Sequence, residues 1–275
     1  QDPPKIAPAK RQEAGPPPPA PNPPTILPIG SAHVPPQVDG VIDEYEYATV
    51  VPGLIAADRH LLYPEPAQTC FAADDTWLYA AARIALPEGH TPTSIAAVRD
   101  SPAQVAKGDL FCMFIRADAD VTATAYTGTY ITVSPNGNVY DATESIDWGK
   151  MSCTRDTGTD IDLDIRSMVS ATDWTVELRL PRTALGLEEK HAFSVSAGFK
   201  LGNLRATLQD HPIWFDHHQA FSRAIFTDLS VNCGLSGLGW GNVAARFSVH
   251  NPTQEPAACR ATIDIALPSI RQTAA

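Results

Sequence analysis

Between Val38 and Val231 the apolar residues come in short runs, and no long amphipathic helix is evident. That pattern limits the fold more than any other feature of the chain. In WTVELRL, Trp174, Val176, Leu178 and Leu180 alternate with Thr175, Glu177 and Arg179. Successive side chains of a strand point to opposite faces, so this run predicts a half-buried strand with a polar outer face. Further candidate strands span 70–86, 109–118, 129–142, 194–206 and 224–231. They are rich in β-branched and aromatic residues and are bounded by Gly, Pro, Asn and Asp. Asn136-Gly137 separates Ile131-Thr132-Val133 from Val139-Tyr140. Asn-Gly favours the positive φ values of a tight turn, which predicts a hairpin there. The segment 181–189, PRTALGLEE, predicts one helical turn starting at Pro181. A second short helix is predicted near Ser101–Ala106. Many short strands with few helices predict an all-β fold, an antiparallel β-sandwich of two sheets.

The two ends differ from this middle. Residues 1–36 hold 13 of the 25 prolines, four of them consecutive at Pro16–Pro19. Proline fixes φ and cannot donate to a ladder, so 1–36 is predicted to be an extended, Pro-rich arm. It serves either as a spacer or as a strap along a partner. The sandwich is assigned to 37–231, and 232–275 forms a C-terminal β-hairpin extension. Its segment 241–269 reads as two strands around Asn251-Pro252-Thr253. Two strands alone are marginal in water, so they need the main domain, a partner or further chain to pack on. Where arm meets sandwich stands VDGVIDEYEY, residues 38–47. Asp39-Gly40 is a turn signal there. Val38, Val41 and Ile42 are predicted apolar anchors, and Asp43, Glu44 and Glu46 a solvated face.

The net charge is -11. An acidic surface repels phosphate backbones and anionic lipid, which argues against nucleic acid and anionic membranes as partners. No run approaches the roughly 18 apolar residues that cross a bilayer. The chain opens at Gln1 rather than Met, which predicts an exported protein, periplasmic or extracellular, whose signal peptide is already removed. The five cysteines show no CxxC, CxxCH or paired zinc spacing, which argues against covalent haem and structural zinc. Cys70 and Cys112 lie in apolar runs and are predicted to be buried, and a Cys233–Cys259 disulfide is an option. Haem held by Met and His is disfavoured, because Met113 falls in a core strand. No GxSxG elbow, P-loop or dinucleotide fingerprint is present, so neither catalysis nor a cofactor is expected.

The order of motifs resembles a known family. VDGVIDEYEYATV is followed by ADDTWLYAAARI, KGDLFCMFI, the YITVSPNGNVYDA hairpin, DWTVELRLPRTALGL and GFKLGNLRA. The series, over about Pro36 to Val231, resembles the family 9 carbohydrate-binding modules and their DOMON-like relatives. The resemblance implies a two-sheet β-sandwich, usually in secreted or envelope proteins. It also implies a non-catalytic role: sugar ends are held between aromatic side chains, sometimes with calcium at structural sites. Some relatives are appended to large proteins with no demonstrated ligand. A shared fold does not transfer a function.

Sugar recognition needs flat apolar faces with polar groups around them. Trp77 and Trp174 sit in alternating patterns and are predicted to be core. Trp148, in SIDWGK, and Trp214, in HPIWFDHH, sit in polar contexts and are the stacking candidates. Around these two positions the family tends to form its ligand face. His218 lies beside Trp214, and Arg205 in LGNLRA matches a recurring arginine of the family. Trp148, Trp214, His218 and Arg205 are therefore the candidate ligand-binding residues. No metal site is assigned. His217 and His218 would point to opposite faces of a strand. Asp160, Asp162 and Asp164 alternate in TDIDLDI, and a solvated face is expected for them. The calcium-loop pattern of an EF-hand fails because Ile165 stands where glycine is needed. The expected role is a non-catalytic carbohydrate-binding module. The alternative is a structural subunit of a larger envelope or membrane-associated protein assembly, docked through the arm and the sandwich surface.

Overall fold

The computed structural model describes residues 26–43, 45–56, 61–62, 67–95, 98–101, 107–158, 160–208, 221–228, 230–236 and 244–250. These form strands β1 (Ile26–Gly30), β2 (Thr49–Pro52), β3 (Ile55–Ala56), β4 (Leu61–Leu62), β5 (Ala67–Ala73) and β6 (Trp77–Ala85). Next come β7 (Leu110–Arg116), β8 (Ala125–Val133), β9 (Val139–Asp147), β10 (Ser152–Asp156), β11 (Asp164–Val169) and β12 (Asp173–Pro181). The last are β13 (Ala192–Leu201), β14 (Leu204–Thr207), β15 (Ser222–Thr227), β16 (Ser230–Ser236) and β17 (Ala244–His250). One sheet, sheet A, has the order β10-β9-β8-β7-β13-β14-β3-β4, with β15 also on β13 and β1 on β15. The other, sheet B, runs β11-β12-β6-β5-β2-β16-β17. Pairing is antiparallel except at β1–β15 and β2–β16. The chain is therefore the all-β sandwich of two sheets that its alternating pattern predicts.

Local chemistry sets the strand ends. The predicted run 70–86 is two strands with a turn between them. Asp74 Oδ1 accepts from the amides of Thr76 (2.8 Å) and Trp77 (2.7 Å), which closes the chain on itself. The Asn136-Gly137 hairpin joins β8 to β9, with Gly137 at φ +83° and its amide donating to Ser134 O at 2.9 Å. After Pro181 the chain makes one turn. Leu187 N donates to Arg182 O at 2.8 Å across Gly186, whose φ is +67°. That is a helix-stop geometry without a helix before it. Residues 102–106, where a helix was expected, lie outside the described residues, as do 251–275.

The main core lies between the sheets. Phe111, Met113, Ile115, Phe193, Val195, Ala197 and Phe199 of sheet A face Leu78, Ala80, Ile84, Trp174, Val176, Leu178 and Leu180 of sheet B. Each fully buried side chain of this size contributes about 1.5–3 kcal/mol. The aligned alternation in WTVELRL fills this layer as predicted, and Cys112 and Met113 are buried on opposite faces of β7. Trp77 departs from the core expectation. It is half-buried on the outer face of sheet B, with the Arg179 guanidinium 4.6 Å over its ring. Its odd position in β6, opposite in parity to Leu78, dictates this.

Residues 26–30 of the segment assigned to the arm are built into the sandwich. Ile26–Gly30 pairs in parallel with Arg223–Thr227, and Leu27 and Ile29 enter the core. Pro28 is tolerated because β1 is an outermost strand.

VDGVIDEYEY lies across the outer face of sheet B. Ile42 and Tyr47 are buried against Val50, Cys70, Ala72, Tyr79 and Ala81. Val41, expected to be an anchor, is 64% exposed, and Tyr47 replaces it. Beneath the stretch sits the buried Glu177. Its carboxylate accepts from Asp39 N (3.1 Å), Gly40 N (2.6 Å) and the Tyr47 hydroxyl (2.9 Å). The outer-face charge in WTVELRL is thus spent on the backbone of a distant segment, not on water. Burial holds the Glu177 carboxyl above the usual glutamate range, and the three donors only partly offset it.

Replacing Glu177 by alanine leaves these donors without their acceptor and is expected to cost about 2–3 kcal/mol in chemical denaturation. Because the folded-state pKa is raised, the carboxyl favours folding most below the ordinary glutamate value. Stability then falls as pH rises through the folded value. Glu177→Gln keeps an acceptor and is expected to flatten that fall.

Candidate functional site

The outer face of sheet A carries a second apolar layer. Cys112 and Phe114 of β7, Tyr126 and Tyr130 of β8, and Tyr140, Ala142 and Ile146 of β9 share it with Val121 and Phe221. Phe114 meets Phe221 edge-on at 5.4 Å and Tyr126 at 6.0 Å, and Tyr126 meets Phe221 at 5.5 Å. Such contacts add about 0.5–1.5 kcal/mol each beyond area.

A polar row crosses this aromatic face. The ladder sets Arg155 opposite Glu144, and Glu144 opposite Gly128. On the other side of β7, Ser194 lies between Arg116 and Arg223. Arg155 pairs with the buried Glu144 and stands 5.5 Å and 5.8 Å over the Tyr130 and Tyr140 rings. Arg116 is 0% exposed. Its guanidinium lies 4.2 Å over Tyr126 and 5.0 Å from the Phe221 ring, and Nη2 donates to Asp120 O at 2.8 Å. Burial pulls the Arg116 pKa below its usual value, against the neighbouring Tyr126, Asp118 and Asp120. Gly128 makes room for this arrangement. A Cβ there would collide with Phe114 Cε1, lie 2.5 Å from Ile115 O and 2.9 Å from Arg116 Cγ.

Trp148 sits at the end of β9, half-buried against this cluster. Its Nε1 donates to the Tyr126 hydroxyl at 2.9 Å. Trp214 and His218 lie in 209–220, outside the described residues. The chain enters that segment at Leu208, whose amide donates to Ala197 O at 2.9 Å. It leaves at Phe221, next to Ser222, which pairs with Val195. The two ends are therefore rooted on β13 on either side of Ser196, and Phe221 is part of the aromatic face. Arg205 is exposed on β14, opposite Lys200, which is opposite Leu110. From Tyr126 to the level of Leu110 is eight residues along β8, about 26 Å. Arg205 and Trp148 thus stand at opposite ends of the sheet.

The acidic residues are arranged as follows. Carboxylate oxygens of Asp100, Asp141 and Asp160 lie within 4.8 Å of one another. Arg99 stands among them, 2.6 Å from Asp141, 3.3 Å from Asp160 and 3.7 Å from Asp100. Ile161 N adds a 2.7 Å bond to Asp141. The guanidinium already supplies the cation that three carboxylates require, and the cluster ties the 98–101 loop to sheet A. Asp160, Asp162 and Asp164 are exposed, and only Asp164 belongs to a strand. His211, Asp216 and His217, like Cys259, fall outside the described residues, and only the backbone of Cys233 is described.

Arg116, Glu144 and Arg155 were not singled out from the sequence. Their signal was a glycine, Gly128, inside an otherwise aromatic strand, where a close approach by neighbouring side chains is expected.

No protein-family model and no curated protein sequence matches this chain. Solved structures do. A family 9 carbohydrate binding module from Caldicellulosiruptor kristjanssonii, in complex with cellotriose, superposes with a TM-score of 0.50 at 14% identity. The match covers 74% of this chain and 93% of that one. A Bacteroides uniformis protein provisionally designated carbohydrate-binding superposes with a TM-score of 0.54 at 10% identity, covering 74% of this chain and 100% of that one. The fold is that of a family 9 carbohydrate-binding module-like β-sandwich. Among the described residues no helix is long and apolar enough to cross a membrane.

Gly128→Ala is expected to lose about 1–3 kcal/mol by overpacking, read as a lower denaturation midpoint. Trp148 fluorescence should change with it, because Tyr126 links that indole to Arg116.

Proposed function

We propose that this chain is a non-catalytic, exported module, periplasmic or extracellular, that binds carbohydrate on the outer face of sheet A. The observation that carries this reading is the half-buried Trp148, held on the Tyr126 hydroxyl at the edge of the outer-face aromatic layer, with the exposed Arg155 guanidinium on the same face. An accessible indole supplies stacking area for a sugar C–H face, and an exposed guanidinium supplies donors for hydroxyls. The likeness of the fold to a module crystallised with cellotriose supports the same class of ligand. Trp214 and His218 are kept as candidate ligand contacts on their sequence pattern alone, an aromatic and a histidine in a polar stretch. Arg205 is kept as a contact for a longer ligand, not for the same sugar unit as Trp148.

Titration with glucose, cellobiose and cellotriose tests the reading. Binding in the micromolar to millimolar range is expected, and Trp148→Ala should weaken it by about 1–3 kcal/mol, the scale of a lost aromatic anchor. Unaltered binding in that variant, or none at millimolar sugar in the native protein, removes the assignment.

One observation favours a second reading, a subunit of a larger assembly. β10 is an outermost strand of sheet A, and all five of its residues are exposed. Such an edge is a template for another strand. In that case the native protein, extracted gently from its source, elutes as a large particle and loses it when residues 1–25 are deleted.

A further inference from the structure

On strands β8 to β10, most outer-face side chains of sheet A are closed off from solvent. Tyr126, Tyr130, Tyr140, Ala142, Glu144 and Ile146 are all buried. The ones that reach water fall in a line. Cys153 is opposite Ile146 and Arg155 is opposite Glu144, so both point to this outer face. Trp148 follows directly on the end of β9 and packs on the same layer. Cys153 and Arg155 are exposed, and Trp148 is half-buried. Ser152, Thr154 and Asp156 alternate with Cys153 and Arg155 and point to the opposite face. Accessible contacts on this part of the face therefore form a row along β10, not a pocket.

Both ends of the row are held in place. At one end the Trp148 indole is anchored by its 2.9 Å bond to the Tyr126 hydroxyl. At the other, Arg155 pairs with the buried Glu144 while its side chain stays 40% exposed. Its guanidinium stands 5.5 Å and 5.8 Å over the Tyr130 and Tyr140 rings. The Arg155–Glu144 pair is neutral as a whole, so this end offers donors to hydroxyls without calling for an anion. Glu144, level with Arg155, lies four residues from Trp148, about 14 Å of strand. Tyr130 and Tyr140 lie beyond Glu144 on the side away from Trp148, so the guanidinium leans further off. No single sugar ring touches both ends, and Cys153 stands between them. As an outermost strand, β10 also turns a line of backbone N–H and C=O groups outward along the row.

We propose that this row is a set of subsites for a linear, neutral oligosaccharide of three or more units lying along β10. One unit stacks on Trp148, a later unit bonds to Arg155, and Cys153 lies beneath the unit between. The proposal rests on the carbohydrate reading above and names the form of the ligand. A pyranose offers an apolar C–H face to the indole and hydroxyls at its rim, and the following units of a chain present hydroxyls at regular steps. Anchored ends keep the entropy cost of binding low, because the ligand orders neither the indole nor the guanidinium. A single sugar gains only the Trp148 contact or only the Arg155 contact.

The test is calorimetric titration of the full chain with glucose and with cellotetraose. Cellotetraose is expected to bind at least about tenfold tighter than glucose, the scale of one further set of hydrogen bonds to a charged group. Arg155→Lys keeps a cation beside Glu144 but loses the planar fork, and should cut that gain a few-fold. Cys153→Arg puts bulk on the row and should remove the gain. Thr154→Arg puts the same bulk on the opposite face of the strand and should leave the gain intact. Equal binding of the two sugars overturns the row and leaves the carbohydrate module standing. A gain that survives Cys153→Arg, or one that is lost as fully in Thr154→Arg, also overturns the row alone. Failure of both sugars to bind overturns the row and the carbohydrate reading together.

Discussion

Sheet A has apolar side chains on both of its faces, and the rest of the molecule is arranged to cover them. All seven residues of β7, Leu110 to Arg116, are buried. The odd residues meet sheet B, and the even ones meet Tyr126, Tyr130, Tyr140, Val121 and Phe221. A strand buried on both sides cannot show the clean apolar–polar alternation of a solvated sandwich strand. That is why DLFCMFIR reads as a continuous apolar run, whereas WTVELRL alternates. Sheet B meets the same demand by another device. Its outer face is covered by Ile42 and Tyr47, pinned by Glu177.

This double covering decides which polar groups lose their water. Polar groups forced under an aromatic layer are either paired or left short of partners. Glu177 is paired three times, and Arg155 and Glu144 pair with each other. Arg116 lies near the Tyr126 and Phe221 rings, and its Nη2 donates to the Asp120 carbonyl. Polar groups paired in this way tie the outer layers to the sheets.

Much of the fold was legible in the chain. The Asn136-Gly137 hairpin and the inner face of β12 follow from local chemistry and period. The site was less legible. Trp148 stood out as an aromatic in a polar turn, and it does meet the outer-face cluster through Tyr126. Arg205 was grouped with it because LGNLRA matches a recurring arginine of the resembled family, yet about eight residues of strand separate the levels of Arg205 and Tyr126 on the sheet. Arg116 and Glu144 escaped notice because arginine and glutamate in a strand ordinarily face water. Glu177 was assigned to the polar face for the same reason. Val41 is exposed and Tyr47 is an anchor in its place, since the turn at Asp39-Gly40 decides which side chain of the stretch meets the sheet. The start of the fold also moved, from residue 37 to Ile26, because a parallel pairing with β15 depends on a strand some 200 residues away.

By itself, then, the sequence determined the element type, the tight turns and the layer that fills the middle of the sandwich. These depend on neighbours within a few residues, through φ preference, side-chain period and local hydrogen bonds. Only the tertiary structure decided which polar side chains would lose their water. Burial of Arg116, Glu144 and Glu177 comes from segments distant in the chain laid over the outer faces of the sheets. The free energy of a charged group depends on what surrounds it, not on the residues beside it in sequence.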